Sequence, residues 1–185
     1  MKQIAIFLAE GFEEIEGLTV VDILRRAGLT IDMVSITGSV KVTGSHGIEI
    51  TADKTISATD FTKLDMIVLP GGMPGTKNLE NCEALMKQVD TFAKEEKYLA
   101  AICAAPGLVL SQLDGLEGVE FTCFDGFEAH LQAKGAVFTP KPAVVCGRII
   151  TGRSAGHAPA FGLAILDRLR GAEVAAEVRH ALYLD

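Results

Sequence analysis

Residues 98–108 read Tyr-Leu-Ala-Ala-Ile-Cys-Ala-Ala-Pro-Gly-Leu, an apolar run that ends at Cys103 and is followed at once by small residues and a proline. Such a run is typical of a strand buried on both faces, and a proline suits the first turn of a helix. We therefore predict a strand over 98–103, a tight turn at Cys103 and a helical segment over 106–113. This elbow would present a side chain at the carboxyl edge of a sheet, where open α/β folds bind ligands.

The rest of the chain alternates short apolar runs with amphipathic stretches. Apolar runs predict strands over 3–8, 31–36, 66–69 and 119–122. Alternating stretches that contain glycine predict two hairpins, over 38–53 and 144–151. Helical periodicity predicts helices over 13–26, 80–97, 127–134, 159–169 and 172–182. The alternation predicts one α/β domain over 1–185, with a mostly parallel sheet covered by helices on both faces.

Composition and charge narrow the class of protein. The chain has 185 residues, 49% of them apolar, and a net charge of −7 without a basic cluster. An acidic balance argues against nucleic acid or an anionic membrane as a main partner. No stretch approaches the ~20 uninterrupted apolar residues of a membrane span, and no cleavage site follows the first apolar run, so we expect a cytoplasmic protein without a membrane partner.

The cysteines suggest thiol chemistry and no metal. Cys82, Cys103, Cys123 and Cys146 are spread widely without a Cys-x-x-Cys pair, so we expect free thiols and no zinc site. Cys103 is the candidate nucleophile, because the start of the following helix would favour its thiolate and lower its pKa. The alternative is that Cys103 is a small buried apolar residue, as free cysteines often are.

Two further stretches follow predicted strands. Pro-Gly-Gly-Met-Pro-Gly at 70–75 can offer backbone N–H groups to an oxyanion, and Gly72 is the best candidate. Glu13, Glu14 and Glu16 open the first helix, where acids ordinarily interact only with the helix dipole in water, and the pattern alone favours that interpretation. A buried, neutral Glu16 could instead hydrogen-bond a thiolate or carry a proton.

A cysteine–histidine pair requires hydrogen-bond contact, and no histidine adjoins Cys103 in the sequence. His157 begins a helix after a strand and could border the same sheet edge. His130, on a short helical piece, could also approach it. A surface position is the alternative for both.

Three stretches, in this order and spacing, resemble the ThiJ/PfpI superfamily in the branch of the Parkinsonism-associated deglycase. They are Gly-Phe-Glu-Glu-Ile-Glu (11–16), Leu-Pro-Gly-Gly-Met-Pro-Gly (69–75) and Ala-Ala-Ile-Cys-Ala-Ala-Pro (100–106). Further matches over 21–28, 150–166 and 173–184 extend the resemblance over essentially the whole chain. The resemblance implies a flavodoxin-like three-layer sandwich with a nucleophile elbow, a homodimer and no cofactor.

The resemblance also implies roles for single residues. Cys103 would be the reactive nucleophile, and a protonated Glu16 would hydrogen-bond its sulfur. The backbone N–H groups of Gly72 and Ala104 would stabilise an oxyanion. The implied activities are conversion of methylglyoxal or glyoxal to a hydroxy acid and repair of early glycation adducts; the alternative is a redox-sensing stress protein or chaperone that uses oxidation of Cys103.

The sequence departs from the family pattern at several positions. Peptidases of the superfamily carry a histidine directly after the cysteine, where this chain has Ala104, so a peptidase or amidase is the weakest candidate. Phe124 stands where the deglycase branch has a histidine, and His46 stands where an arginine is common. The segment 154–157 also differs, and its His157 could serve as a base. We expect these changes to alter the pocket wall.

Overall fold

The computed structural model describes residues 2–184, in which seven of the strands form one sheet between two layers of helices. The strands are β1 (Gln3–Leu8), β2 (Thr30–Ser35), β3 (Lys41–Thr43), β4 (Glu49–Thr51), β5 (Lys54–Thr55), β6 (Met66–Leu69), β7 (Tyr98–Ile102), β8 (Glu120–Phe121), β9 (Val137–Phe138), β10 (Ala143–Cys146) and β11 (Ile149–Gly152). The α-helices are α1 (Glu14–Arg26), α2 (Gly75–Glu80), α3 (Glu83–Lys94), α4 (Ala105–Leu108), α5 (Glu128–Gln132), α6 (Ala158–Arg170) and α7 (Ala172–Ala181).

The body of the sheet is parallel, as the alternation of strands and helices predicts. Its five longer parallel strands lie in the order β2-β1-β6-β7-β11. At the edges, β5 pairs parallel with β2, and β10 pairs antiparallel with β11 in the predicted hairpin around Gly147. Counted along the chain, the five strands have the flavodoxin-like order 2-1-3-4-5, whose ligand crevice lies where the order reverses, at the ends of β1 and β6.

The central strand β1 supplies side chains to two separate hydrophobic cores. Ile4, Ile6 and Leu8 pack with apolar residues of α1, α6 and α7, whereas Ala5 and Phe7 pack with those of α2, α3 and α4. Successive side chains of a strand point to opposite faces, so a strand covered on both sides must be apolar at every position. The three-layer sandwich is confirmed.

Three details differ from the sequence-based prediction. The helix predicted over 80–97 is wrong at its start: α2 ends at Glu80, Cys82 is extended with a ψ of 91°, and α3 then begins. The helix predicted over 106–113 is only the single turn α4 followed by a 3₁₀ turn, Leu110–Gln112. The two-residue strands β5, β8 and β9 have too few residues for a periodic signal; only β8 was predicted, within the longer run 119–122.

The hairpin of β3 and β4 does not join the main sheet and instead covers its carboxyl edge. The Gly11 N–H donates to the Thr43 carbonyl at 2.8 Å, and the Ser45 N–H donates to the Phe12 carbonyl at 2.8 Å. These bonds fix the hairpin over the loop between β1 and α1. Within residues 2–184, no helix has the length and apolar character needed to cross a bilayer.

Candidate active site

Cys103 lies at the elbow between β7 and α4, as the sequence predicts. Its backbone has a φ of 66°, in the left-handed region that residues other than glycine rarely adopt. Two backbone hydrogen bonds maintain this conformation. The Cys103 N–H donates to the Gly152 carbonyl at 3.0 Å, and the Phe124 N–H donates to the Cys103 carbonyl at 2.8 Å. Backbone strain that neighbours over-determine is typical of functional sites.

Two backbone donors surround the half-buried sulfur of Cys103. The N–H groups of Ala104 and Gly72 hydrogen-bond it, and both bonds favour the thiolate. Gly72 reaches this position with a φ of 90°, and a Cβ there would overlap the backbone nitrogen of Glu13. Both N–H groups are thus directed at the sulfur of the predicted nucleophile.

Glu16 is buried against the same sulfur, only 1% exposed. Its Oε2 accepts a hydrogen bond from the Gly71 N–H at 2.8 Å, whereas its buried Oε1 has no hydrogen-bond partner among the described residues. Burial raises the pKa of Glu16 to about 7, against the opposing effects of the Cys103 contact and the Gly71 N–H. The pattern alone favoured a solvated helix-end acid, and the structure contradicts that interpretation for Glu16.

The thiol itself has a raised pKa, so the predicted lowering by the following helix is wrong. Burial, and then the charge and hydrogen bonding of Glu16, raise the pKa of Cys103 to about 12 and outweigh the N–H donors of Ala104 and Gly72. The helix that follows has only four residues, too short for a full dipole. A carboxyl and a thiol in contact at this depth do not both ionise near neutral pH, so the pair retains at least one proton.

An open cleft of about 740 Å³ gives access to the pair. Its walls come from the first turn of α1, the β3–β4 hairpin and the turns at the sheet edge; the lining residues are Glu13, Glu14, Ile15, Glu16, His46, Ile48, Gly72, Cys103, Phe124, Ser154, Ala155 and Gly156. Phe124 is thus in the wall, as expected. His157 is not among these residues, and its Nδ1 pairs with the Ser154 hydroxyl at 2.8 Å, whereas His130 is exposed and stacks on Phe127.

A second buried carboxylate, Glu14, ties the hairpin to α1. Glu14 accepts hydrogen bonds from the His46 N–H at 2.8 Å and from Ser45, and its Oε2 lies 2.9 Å from the His46 Nδ1. Burial opposes ionisation, but these hydrogen bonds dominate and lower the pKa of Glu14 to about 2, while Glu14 raises the pKa of His46. Sequence reasoning missed this pairing, because no local pattern links the first turn of a helix to a distant hairpin.

Glu14 and His46, together with Glu13, form the candidate metal-ligand group of the described residues. One ligand atom each from Glu13, Glu14 and His46 lies within 4.8 Å of the others. The Glu13 carboxylate, however, accepts the Glu16 N–H at 2.7 Å, and Glu14 is satisfied by the hairpin. Protein donors thus account for these carboxylates, and we assign no metal to them.

The other three cysteines lie outside the cleft and form no disulfide. Cys82 and Cys146 are half-buried, and Cys123 is buried. Burial raises the pKa of Cys123 to about 12, and no lining residue of the Cys103 cleft contributes to that shift. The expectation of four free thiols is confirmed.

Comparison with known proteins gives a consistent result. The model of the DJ-1/PfpI family matches residues 2–168. The chain is 35% identical over 183 residues to protein DJ-1 homolog A of Arabidopsis thaliana, covering 99% of this chain but only 47% of that relative. It is 33% identical to the Parkinson disease protein 7 homolog of Danio rerio, covering 99% of this chain and 97% of the relative.

Solved structures agree with the sequence relatives. Toxoplasma gondii DJ-1 in an oxidized form superposes with a TM-score of 0.93 at 30% identity, over 99% of this chain and 98% of that one. A DJ-1 superfamily protein of Salmonella typhimurium gives a TM-score of 0.90 at 32% identity, over 99% and 98% of the two chains. Sequence and fold together show that this chain belongs to the DJ-1/PfpI family.

Proposed function

We propose that this protein is a cysteine-dependent enzyme that needs no cofactor and converts methylglyoxal or glyoxal to the corresponding 2-hydroxy acid. The observation that carries the proposal is the contact between the half-buried Cys103 thiol and the buried Glu16 carboxyl beneath an open cleft. Moving the thiol proton to Glu16 creates a thiolate and a neutral acid in one step. A nucleophile with its own proton relay suits addition to an aldehyde.

Each step of this reaction can be balanced with the residues of the pair. The Cys103 thiolate attacks the aldehyde carbon of methylglyoxal, and the new alkoxide takes the proton of Glu16 to give a hemithioacetal. The Glu16 carboxylate then removes the proton from that carbon and delivers it to the oxygen of the neighbouring carbonyl, which gives an enediol. It next removes the proton of the first hydroxyl and delivers it to the neighbouring carbon, which leaves a thioester of lactate. Water hydrolyses the thioester to lactate and regenerates the thiol.

Backbone donors would support the charged intermediates of these steps. The N–H groups of Gly72 and Ala104 hydrogen-bond the sulfur, and we expect an alkoxide on the carbon attached to that sulfur to accept hydrogen bonds from the same donors. An early glycation adduct that releases its dicarbonyl would be consumed by the same route. The family resemblance further implies a homodimer, which sedimentation equilibrium would test.

Lactate formation from methylglyoxal without glutathione tests the proposal. We expect turnover by the wild type, none by Cys103→Ser, a rate at least about a hundredfold lower in Glu16→Gln, and wild-type turnover by Cys146→Ser, whose thiol lies outside the cleft. Absence of turnover in the wild type, or retention of it in Cys103→Ser, would overturn the proposal.

A second candidate is a redox sensor, and the donors around the sulfur favour it. Peroxide would oxidise the thiolate to sulfenate and a second peroxide to sulfinate, each releasing water. Gly72, Ala104 and a protonated Glu16 could then all donate to the sulfinate oxygens. Mass spectrometry after limiting peroxide should find oxygen on Cys103 ahead of Cys82 and Cys146; equal oxidation of the three would exclude this candidate.

A further inference from the structure

The two backbone hydrogen bonds that hold Cys103 in the left-handed region come from different parts of the chain. Its N–H donates to the carbonyl of Gly152, which belongs to β11 and pairs in register with Ile102 of β7, so the sheet itself fixes this bond. The bond from the Phe124 N–H to the Cys103 carbonyl comes instead from segment 122–126. That segment follows the two-residue strand β8 and lies outside the seven-stranded sheet, so sheet pairing does not hold it in place.

Thr151, the residue before Gly152 in β11, provides a buried contact for that segment. Its Oγ1 accepts a hydrogen bond from the Thr122 N–H at 2.9 Å. Thr151 is 1% exposed and Thr122 is fully buried, so water does not compete for this bond. Because an unpaired backbone N–H is costly away from water, the backbone at Thr122 is confined to positions from which it reaches the Thr151 hydroxyl.

A second polar contact between segment 122–126 and the end of β11 lies at the surface. The Arg153 guanidinium donates to the Asp125 carboxylate at 2.6 Å, but the side chain of Asp125 is 74% exposed. Exposed ion pairs contribute little, because water and salt screen them. Of the two contacts, the buried bond of Thr151 therefore has the greater influence on where the Phe124 N–H lies.

We propose that Thr151 is a positioning residue, whose hydroxyl holds the Phe124 N–H where it keeps Cys103 in the left-handed conformation. The inference rests on the proposed function only in taking Cys103 as the reacting group. Two consecutive residues of β11 then control both hydrogen bonds of the elbow, Gly152 through its carbonyl and Thr151 through its side chain. Loss of the hydroxyl should let the elbow relax towards a negative φ, which moves the sulfur away from its two backbone donors.

Alkylation of Cys103 by iodoacetamide tests this inference without any turnover. We expect Thr151→Val, which keeps the shape of the side chain and loses the hydroxyl, to slow alkylation at pH 7 about tenfold, because the thiolate loses N–H donors that stabilise it. Thr151→Ala should be equally slow, whereas Thr151→Ser, which retains a hydroxyl, should restore most of the rate. Thr122→Val keeps the donating N–H and removes a buried hydroxyl that has no hydrogen-bond partner among the described residues, so it should react like the wild type.

A control of matched stability separates positioning from a general loss of structure. Ser35→Ala removes another buried hydroxyl at a strand end, one that accepts the Thr37 N–H at 3.1 Å. By urea unfolding it should lose about as much stability as Thr151→Val, but its Cys103 should be alkylated at the wild-type rate.

An unchanged rate in Thr151→Val, or equal slowing in Ser35→Ala or Thr122→Val, would overturn the inference. Lactate formation from methylglyoxal distinguishes this failure from that of the proposed function. If the wild type makes no lactate but Thr151→Val alone of these three variants slows alkylation, the positioning role stands and the proposed function fails.

Discussion

Replacement of Glu16 by glutamine should make the folded protein more stable at pH 8. Glu16 is 1% exposed, and its burial raises its pKa from 4.5 to about 7. A carboxyl with a higher pKa in the folded state binds its proton more tightly there, so the resulting stabilisation is fully present below about pH 4.5 and is lost as the pH rises through 7. At about 1.4 kcal/mol per pH unit, this difference in pKa amounts to about 3 kcal/mol.

Urea unfolding at pH 4.5 and pH 8 measures this effect. Glutamine keeps an oxygen for the Gly71 N–H but carries no charge, so Glu16→Gln should exceed the wild type by about 3 kcal/mol at pH 8 and by well under 1 kcal/mol at pH 4.5. Glu177→Gln, at an exposed position of α7, should match the wild type at both pH values. Equal or lower stability of Glu16→Gln at pH 8 would refute the argument that the buried carboxyl resists ionisation.

Two further substitutions test the geometry around the pair. A Cβ at Gly71 would lie 2.5 Å from the Cβ of Cys103, so Gly71→Ala must displace the nucleophile and should slow alkylation by iodoacetamide at least about tenfold. In the control Gly38→Ala, the added Cβ would have no atom within 4 Å, and the alkylation rate should not change. Equal rates for the two variants would contradict this prediction. Glu14→Gln should lower the free energy of unfolding at pH 7 by about 1–2 kcal/mol, because hydrogen bonds to the Glu14 carboxylate lower its pKa to about 2. The stabilisation that the ionised carboxylate provides is present above pH 4.5 and is lost as the pH falls towards 2. Urea unfolding between pH 3 and pH 7 would measure this loss. The control is Glu49→Gln, which removes an exposed ion pair of the same hairpin. A loss of stability in Glu14→Gln that is as large at pH 3 as at pH 7 would contradict a stabilising role of the ionised Glu14.

Burial decided which strands and helices could be predicted from sequence. The strands β1 and β6 have the predicted bounds, because both are apolar at almost every position and are flanked by polar or glycine-rich segments. The break at Cys82 has no such signal, since the charged residues on both sides of it suit a helix. The two-residue strands form only where longer neighbours already exist, so their own sequence carries little information.

The site was predictable in position but not in its electrostatics. The elbow follows from local order, in which an apolar strand meets small residues and a proline, and so Cys103 could be identified. Burial of Glu16 depends on how α1 packs across the sheet edge, which periodicity does not encode. The pattern offered its contact with the sulfur only as an alternative, and the family resemblance favoured it. The direction of the Cys103 pKa was wrong for the same reason, because the buried neighbour dominates over the helix end.

Raised pKa values do not prevent this pair from supplying a thiolate. Transfer of the proton from Cys103 to Glu16 leaves the total charge of the pair at minus one, so no net charge enters or leaves the buried site, and the desolvation that raises each pKa separately does not oppose the exchange between them. The cost of burial therefore falls mainly on folding stability, whereas the transfer itself is opposed by the lower pKa of the carboxyl. Glu14, two positions earlier in the same helix, has the opposite state, because hairpin donors hold it ionised. One helical turn thus carries a structural carboxylate and the carboxyl that we propose as the acid–base group, and their surroundings separate the two states.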